Sequence, residues 1–175
     1  DEVPLPPSLT INAAFGLSFL GQLSLANLDH TRPPTAHSLT LLDLFNRAAV
    51  RVVEGQATDL AWNATTATLD DYWRMMEAKG GEWFALACRA GALCGSRSHE
   101  AARYGTFGHH LGVLIQLSDD LGALWRPRGR GDLATLDRTL PVVYGLTVAP
   151  PATRDHLLEM LARPALDGVS LEVLR

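Results

Sequence analysis

Along the whole chain, apolar residues recur at helical spacing and are broken by polar ones, and a two-residue alternation persists nowhere. Half-buried strands need that alternation, so the pattern predicts an all-α chain whose helices bury one face each. Prolines, glycines and polar clusters punctuate it. Residues 1–10 hold three prolines, and an apolar helix over about 11–28 follows, with Ile11, Phe15, Leu17, Phe19, Leu20, Leu23 and Leu25. The loop HTRPPTAHS at 30–38 stops it. A second helix starts near Leu39, carries Phe45, Ala49, Val52, Val53, Gln56 and Asp59, and ends before NATTAT at 63–68. A third is expected over about 69–95, capped by Thr68 or Asp70, with Gly80-Gly81 marking a kink or a close backbone approach. A fourth runs from about 98 to 125, up to RPRGRGD at 126–132. Shorter helices follow near 138–147 and over about 152–162, separated by Pro150-Pro151.

With 175 residues, 47% of them hydrophobic and 19% charged, the chain is long enough for one substantial core and too short for two ordinary domains. Residues 1–175 are therefore expected to form one domain. No apolar run approaches the roughly 18 residues that cross a bilayer, and no positive segment precedes an apolar one as in a secretory leader. A cytoplasmic protein without a transmembrane segment is the simplest expectation. A net charge of −4 and a pI near 5.8, with no basic cluster, argue against a nucleic-acid partner. Cys88 and Cys94 lie six apart with no second pair to complete a zinc site, so they are expected to be buried small hydrophobes. Lys79 is the only lysine against fourteen arginines, which matters because ammonium and guanidinium are not interchangeable at a phosphate site.

Three constellations are candidates for chemistry. Gln116, Asp119, Asp120 and Ala123 fall at i, i+3, i+4 and i+7, on one side of the fourth helix near its C-terminal end. Two carboxylates repel each other there and face the negative end of the helix dipole. Mg²⁺, which takes one or two carboxylates together with waters and substrate phosphates, would relieve that strain. The plain alternative is a solvated helix end. On the second helix Gln56 and Asp59 share a face with Val52, Val53 and Leu60, which is costly unless they are hydrogen-bonded or metal-linked. An ordinary polar pair at the edge of a core would satisfy the same pattern. Lys79, after Tyr72, Met75 and Met76, would by itself be read as a surface residue. The histidines His30, His37, His109 and His110 lack metal-site spacing, and read as structural or exposed.

Taken in order, GQATDL (55–60), YWRMMEAKGG (72–81), FGHHLGVLIQLSDDLGALW (107–125) and GDLATLDRTLPVVYGL (131–146) resemble four segments of the trans-isoprenyl diphosphate synthases. The last two are similar to that family's second aspartate-rich motif and its D-x-x-x-x-K-x-T-L-P-V-V-Y-A-L stretch. The resemblance spans roughly residues 11–146. It implies a helical bundle of the isoprenoid synthase type, incomplete here on the N-terminal side, that condenses isopentenyl diphosphate with an allylic diphosphate using Mg²⁺, and forms homodimers. Carried over by position, Asp119 would bind Mg²⁺ with Asp120 in support, and Asp59 would meet a metal-bound water. Gln56 and Gln116 would be polar wall groups, Lys79 would contact the allylic diphosphate, and Arg138 would stand for a later phosphate-binding Lys.

The chain also departs from the pattern. The family's first DDxxD belongs before residue 11, the third Asp of the second motif is Ala123, the Thr after the family Lys is Gly80, and the later Lys falls at Asp137 or Arg138. These differences keep two other readings open. One is a terpene synthase on the same scaffold, and the other is a degenerate, non-catalytic partner subunit.

Overall fold

A computed structural model describes residues 6–26, 36–95, 97–125 and 136–162; the predicted loop at 126–132, positions 30–35 of the loop predicted at 30–38, and the side chain of His37 lie outside them, while 36–38 are helical where a loop was expected. The described residues are helical, with no strand among them, as the apolar spacing requires. Two helices, α1 (Pro7–Ala26) and α2 (Ala36–Leu60), come first. The chain divides into two compact units, 1–47 and 48–175, the boundary falling inside α2.

In the first unit α1 starts earlier than the prolines suggested, because Pro6 and Pro7 open the helix: the Pro6 carbonyl accepts from the amides of Leu9 and Thr10 at 2.9 and 3.0 Å. Its 20 residues carry no charge and are long and apolar enough to cross a membrane by length and composition. This corrects the expectation that no segment reaches that length. Counting uninterrupted apolar residues undervalued α1, since Ser, Thr, Asn and Gly interrupt the run without adding charge. Core helices of soluble proteins meet the same criterion, so α1 by itself assigns no membrane.

The second unit holds the rest: α3 (Leu69–Met76), a π-helical turn (Glu77–Gly81), α4 (Glu82–Cys94), a 3₁₀ turn (Ser98–Glu100) and α5 (Ala101–Trp125). A second 3₁₀ turn (Leu136–Arg138), α6 (Leu140–Val148) and α7 (Pro151–Leu161) complete it. Of the two caps considered for α3, Thr68 is the one used. Its hydroxyl accepts the Asp71 amide at 3.2 Å while the Asp71 carboxylate accepts the Thr68 amide at 3.0 Å, a reciprocal capping box.

The core cluster is built by Tyr72, Met75 and Met76 of α3 and Val143 of α6, with Trp62, Leu69, Trp73, Leu117 and Leu140 packed around it. Positions 72, 75 and 76 lie at i, i+3 and i+4, so one stripe of α3 enters the core. Burying each such side chain contributes about 1.5–3 kcal/mol.

Of the two roles the sequence allowed for Gly80 and Gly81, the close backbone approach is the one seen. They sit in the π turn, where an inserted residue widens the helix, and they let neighbours approach closely. A Cβ on Gly80 would lie 3.1 Å from the Gly112 carbonyl oxygen of α5, and His109 packs directly on Gly81. Gly55 plays the same part on α2: a Cβ there would sit 2.7 Å from the Ala78 Cβ and 3.0 Å from the Lys79 Cγ. Without these side chains α2 and α5 close on the π turn from two sides. Both cysteines are free thiols, but Cys88 is half-buried and Cys94 exposed, which corrects the expectation of burial.

Candidate active site

A cavity of about 280 Å³ is lined by Asp59, Met75, Met76, Lys79, Gln116, Asp119, Asp120, Ala123, Arg138 and Thr139. Six of the seven residues singled out from sequence therefore meet at one place, from four separated segments. The seventh, Gln56, stands behind the wall, and its amide donates to Asp59 Oδ2 at 3.4 Å. Lys79 shares the inward stripe of Met75 and Met76, at i+4 and i+3, and lines the cavity with Gln116 and Asp119, the kind of place the family resemblance implies for it and a lone lysine's residue type does not. Its side chain is 26% exposed and forms an ion pair with Asp59.

Asp59, in the last turn of α2, is buried at 8% exposure. Lys79 Nζ donates to its Oδ2, and Arg138 Nη1 donates to its Oδ1 at 3.0 Å. The same Nη1 donates to the Asp59 backbone carbonyl at 2.7 Å, which also accepts the Trp62 amide at 3.2 Å just past the helix end. Burial pushes the Asp59 carboxyl up, but hydrogen bonds and charge from Lys79 and Arg138 outweigh burial and hold it below the usual carboxylate value. A further clip fixes this corner, since Trp62 Nε1 donates to the Asp137 carbonyl at 3.0 Å. The Arg138 Nε is buried without a hydrogen-bond partner and lies 3.7 Å from Asp137 Oδ1.

Asp120 is also buried, at 8% exposure. Its Oδ2 accepts the Tyr72 hydroxyl at 2.7 Å and the Leu140 amide, at the start of α6, at 3.0 Å. Burial pushes the Asp120 carboxyl up; the donors Tyr72, Leu140 and Gln116 pull it down, and the Asp119 charge raises it further. Burial, with the Asp120 charge beside it, pushes the Tyr72 phenol well up, so the hydroxyl remains a donor. The strain expected at the end of α5 is thus relieved by the positive N-terminal end of another helix and by a phenol. The sequence reading missed Tyr72 as a site residue. Its one signal was a hydroxyl on an otherwise apolar core stripe, since a buried Tyr O–H nearly always has a partner.

Asp119 differs from both. It is exposed at the cavity, and no hydrogen bond or ion pair among the described residues engages its carboxylate. No group of three or more His, Cys, Asp and Glu side chains that could hold a metal occurs among those residues. The donor set therefore does not form a closed cage. One open carboxylate beside cationic groups fits Mg²⁺ that brings most of its ligands with it, as waters and phosphate oxygens.

An all-helical unit whose cavity is lined by an open carboxylate, a lysine, an arginine and apolar side chains has the composition of a ligand site between helices. The polyprenyl synthetase family model matches residues 7–172, and the chain belongs to that family. Among its relatives, geranylgeranyl pyrophosphate synthase penG of Penicillium crustosum is 28% identical over 91% of this chain and 46% of its own length. The (2E,6E)-farnesyl diphosphate synthase of Mycobacterium tuberculosis strain H37Rv is 33% identical over 62% of this chain and 32% of its own. Geranylgeranyl diphosphate synthase of the same strain is 38% identical over 60% and 32%. The chain spans less than half the length of these curated relatives. No solved structure matches it significantly.

Proposed function

We propose that the protein is a Mg²⁺-dependent trans-prenyltransferase that condenses isopentenyl diphosphate with an allylic diphosphate. The observation that carries this reading is the convergence of the chain's only lysine with Asp119, Gln116 and Arg138 on one cavity also lined by Met75, Met76 and Ala123. Relatives named as farnesyl and geranylgeranyl diphosphate synthases support it. At about 280 Å³, near the lower end of the roughly 300–1,000 Å³ usual for small-molecule clefts, the cavity suits a headgroup and the reacting carbons more than a long hydrocarbon tail.

In the reaction the allylic C–O bond breaks, the diphosphate departs with the electron pair, and the double bond of isopentenyl diphosphate attacks the cation. A proton then passes from the new adduct to the released diphosphate. Bound Mg²⁺ supplies Lewis-acid stabilisation of the departing phosphate oxygens. Lys79 adds a fixed positive charge where negative charge develops. Asp119 is the residue that would hold the cation, while Asp120, tied to Tyr72 and Leu140, fixes the turn of α5 that presents it. Met75, Met76 and Ala123 give the carbocation apolar surroundings that disfavour water.

The test is incubation of the protein with Mg²⁺, radiolabelled isopentenyl diphosphate and each common allylic primer. Chain-elongated product is expected, and its absence with every primer would overturn the reading. Ala123, in place of the third motif aspartate, favours a second reading as a non-catalytic partner subunit. That reading expects no product from this protein alone and restored or altered product in the presence of an active homologue.

A further inference from the structure

Lys79 and Arg138 both donate to Asp59, but they are held differently. Arg138 Nη1 bonds the Asp59 carboxylate and the Asp59 carbonyl together, at 3.0 and 2.7 Å, so it is fastened to the backbone of α2. Lys79 is described with a single partner, Asp59 Oδ2. It combines a flexible four-carbon stem with three donors and can exchange one acceptor for another without disturbing the helix that carries it. Around the cavity stand two further carboxylates, Asp119 and Asp120. A phosphate oxygen entering this space meets a lysine already neutralised by a buried carboxylate.

We propose that Asp59 is an internal counter-anion of the site: it holds Lys79 in competition with an incoming diphosphate, and so makes diphosphate binding depend on the divalent cation that accompanies it. The inference rests on the reading that this cavity takes a diphosphate. A bare diphosphate has to break the Lys79–Asp59 pair and then sits near both Asp59 and Asp119. A cation held at Asp119 removes much of that repulsion and tips the exchange of Lys79 from carboxylate to phosphate. Arg138 stays on Asp59 throughout and keeps the buried carboxylate paired, which a buried charge requires. Asp59 and Arg138 are thus positioning residues, and Lys79 is the group that reaches the ligand.

The experiment is isothermal titration of inorganic diphosphate into wild type, Asp59→Asn, and Asp59→Asn with Lys79→Gln, each with Mg²⁺ and with a chelator. Asparagine keeps an acceptor for Arg138 and removes the charge. Asp59→Asn is expected to bind metal-free diphosphate about tenfold more tightly than wild type, the scale of one screened charge in a part-buried site. The added Lys79→Gln should erase the gain. Metal-free binding by Asp59→Asn no tighter than wild type, while Mg²⁺-diphosphate binds normally, overturns the counter-anion role and leaves the prenyltransferase reading standing. Failure of wild type to bind diphosphate under either condition overturns both.

Should Asp59→Asn not fold, wild type provides a second readout. Lys79 is the chain's only lysine, so reductive ¹³C-methylation yields one lysine signal in NMR. That signal is expected to move when Mg²⁺ and diphosphate are added together and to move far less with diphosphate alone. Equal movement in both cases, or none in either, contradicts the proposal.

Discussion

Replacing Asp120 by alanine removes the acceptor of one buried and one part-buried hydrogen bond at once. The Tyr72 hydroxyl would lose its partner in a residue that is 0% exposed, and the Leu140 amide would lose its own at the start of α6. Each orphaned donor costs about 1–3 kcal/mol. Asp120→Ala is therefore expected to destabilise the fold by ~2–6 kcal/mol, lowering Tm by roughly 4–24 °C for a chain of this size. Asp120→Asn is a different perturbation. Tyr72 and Leu140 both donate to Oδ2, so one amide oxygen in that position can accept these two. The change also removes a carboxylate whose ionisation burial disfavours, and its cost should stay within about 1 kcal/mol. Tyr72→Phe deletes only the phenol, leaves the carboxylate with the amide, and should cost ~1.5–3 kcal/mol, as for a hydrogen bond to a charged group. Urea denaturation followed by far-UV circular dichroism at neutral pH measures all three. An Asp120→Asn loss as large as that of Asp120→Ala, or an Asp120→Ala loss under 1 kcal/mol, would refute the assignment of Asp120 as the tie between α3, α5 and α6.

Three further outcomes are expected. Gly55→Ala would ordinarily stabilise a helix interior by ~1 kcal/mol, but a Cβ 2.7 Å from that of Ala78 should reverse the sign to a loss of about 1–3 kcal/mol, visible as a lowered Tm; a raised Tm would contradict the close packing. Lys79→Ala should raise the KM of the allylic substrate and lower kcat/KM while leaving the circular dichroism spectrum unchanged, and Lys79→Arg should recover only part of the loss; full activity in Lys79→Ala would remove Lys79 from the site. Asp59 has a folded-state pKa below its ordinary 3.8, so its stabilising contribution is present above that value and disappears as pH falls through the lowered one. Wild type should therefore lose urea stability on acidification below about pH 4 more steeply than Asp59→Asn, and parallel profiles would contradict the ion-paired geometry.

Local structure was legible in the sequence wherever one residue's neighbours decided it. Apolar spacing located α2, α4 and α5, Thr68 announced the start of α3, and Gly80-Gly81 marked the place where two helices close together. Long-range partners were not legible. Asp59 meets Lys79 across 20 positions and Arg138 across 79, and Asp120 meets Tyr72 across 48, separations that no helical period encodes. Residue type alone would have left Lys79 on the surface, because a lone lysine is exposed until a distant carboxylate supplies its counter-charge; the family resemblance is what placed it inward, and it lines the cavity with Gln116 and Asp119. Asp119 and Asp120, adjacent in sequence and equal in chemistry, acquire different surroundings because α3 delivers a phenol and α6 an amide to Asp120.

The central claim is that a diphosphate is held between Lys79 and the Asp119 carboxylate, and a crystal structure of the protein with Mg²⁺ and an unreactive allylic thiodiphosphate tests it most directly. The account expects phosphate oxygens within hydrogen-bond distance of Lys79 Nζ, a cation on the Asp119 carboxylate, and Asp120 still bonded to Tyr72 and Leu140. A diphosphate bound outside this cavity, or inside it with Lys79 still paired to Asp59 and no cation at Asp119, would contradict the account.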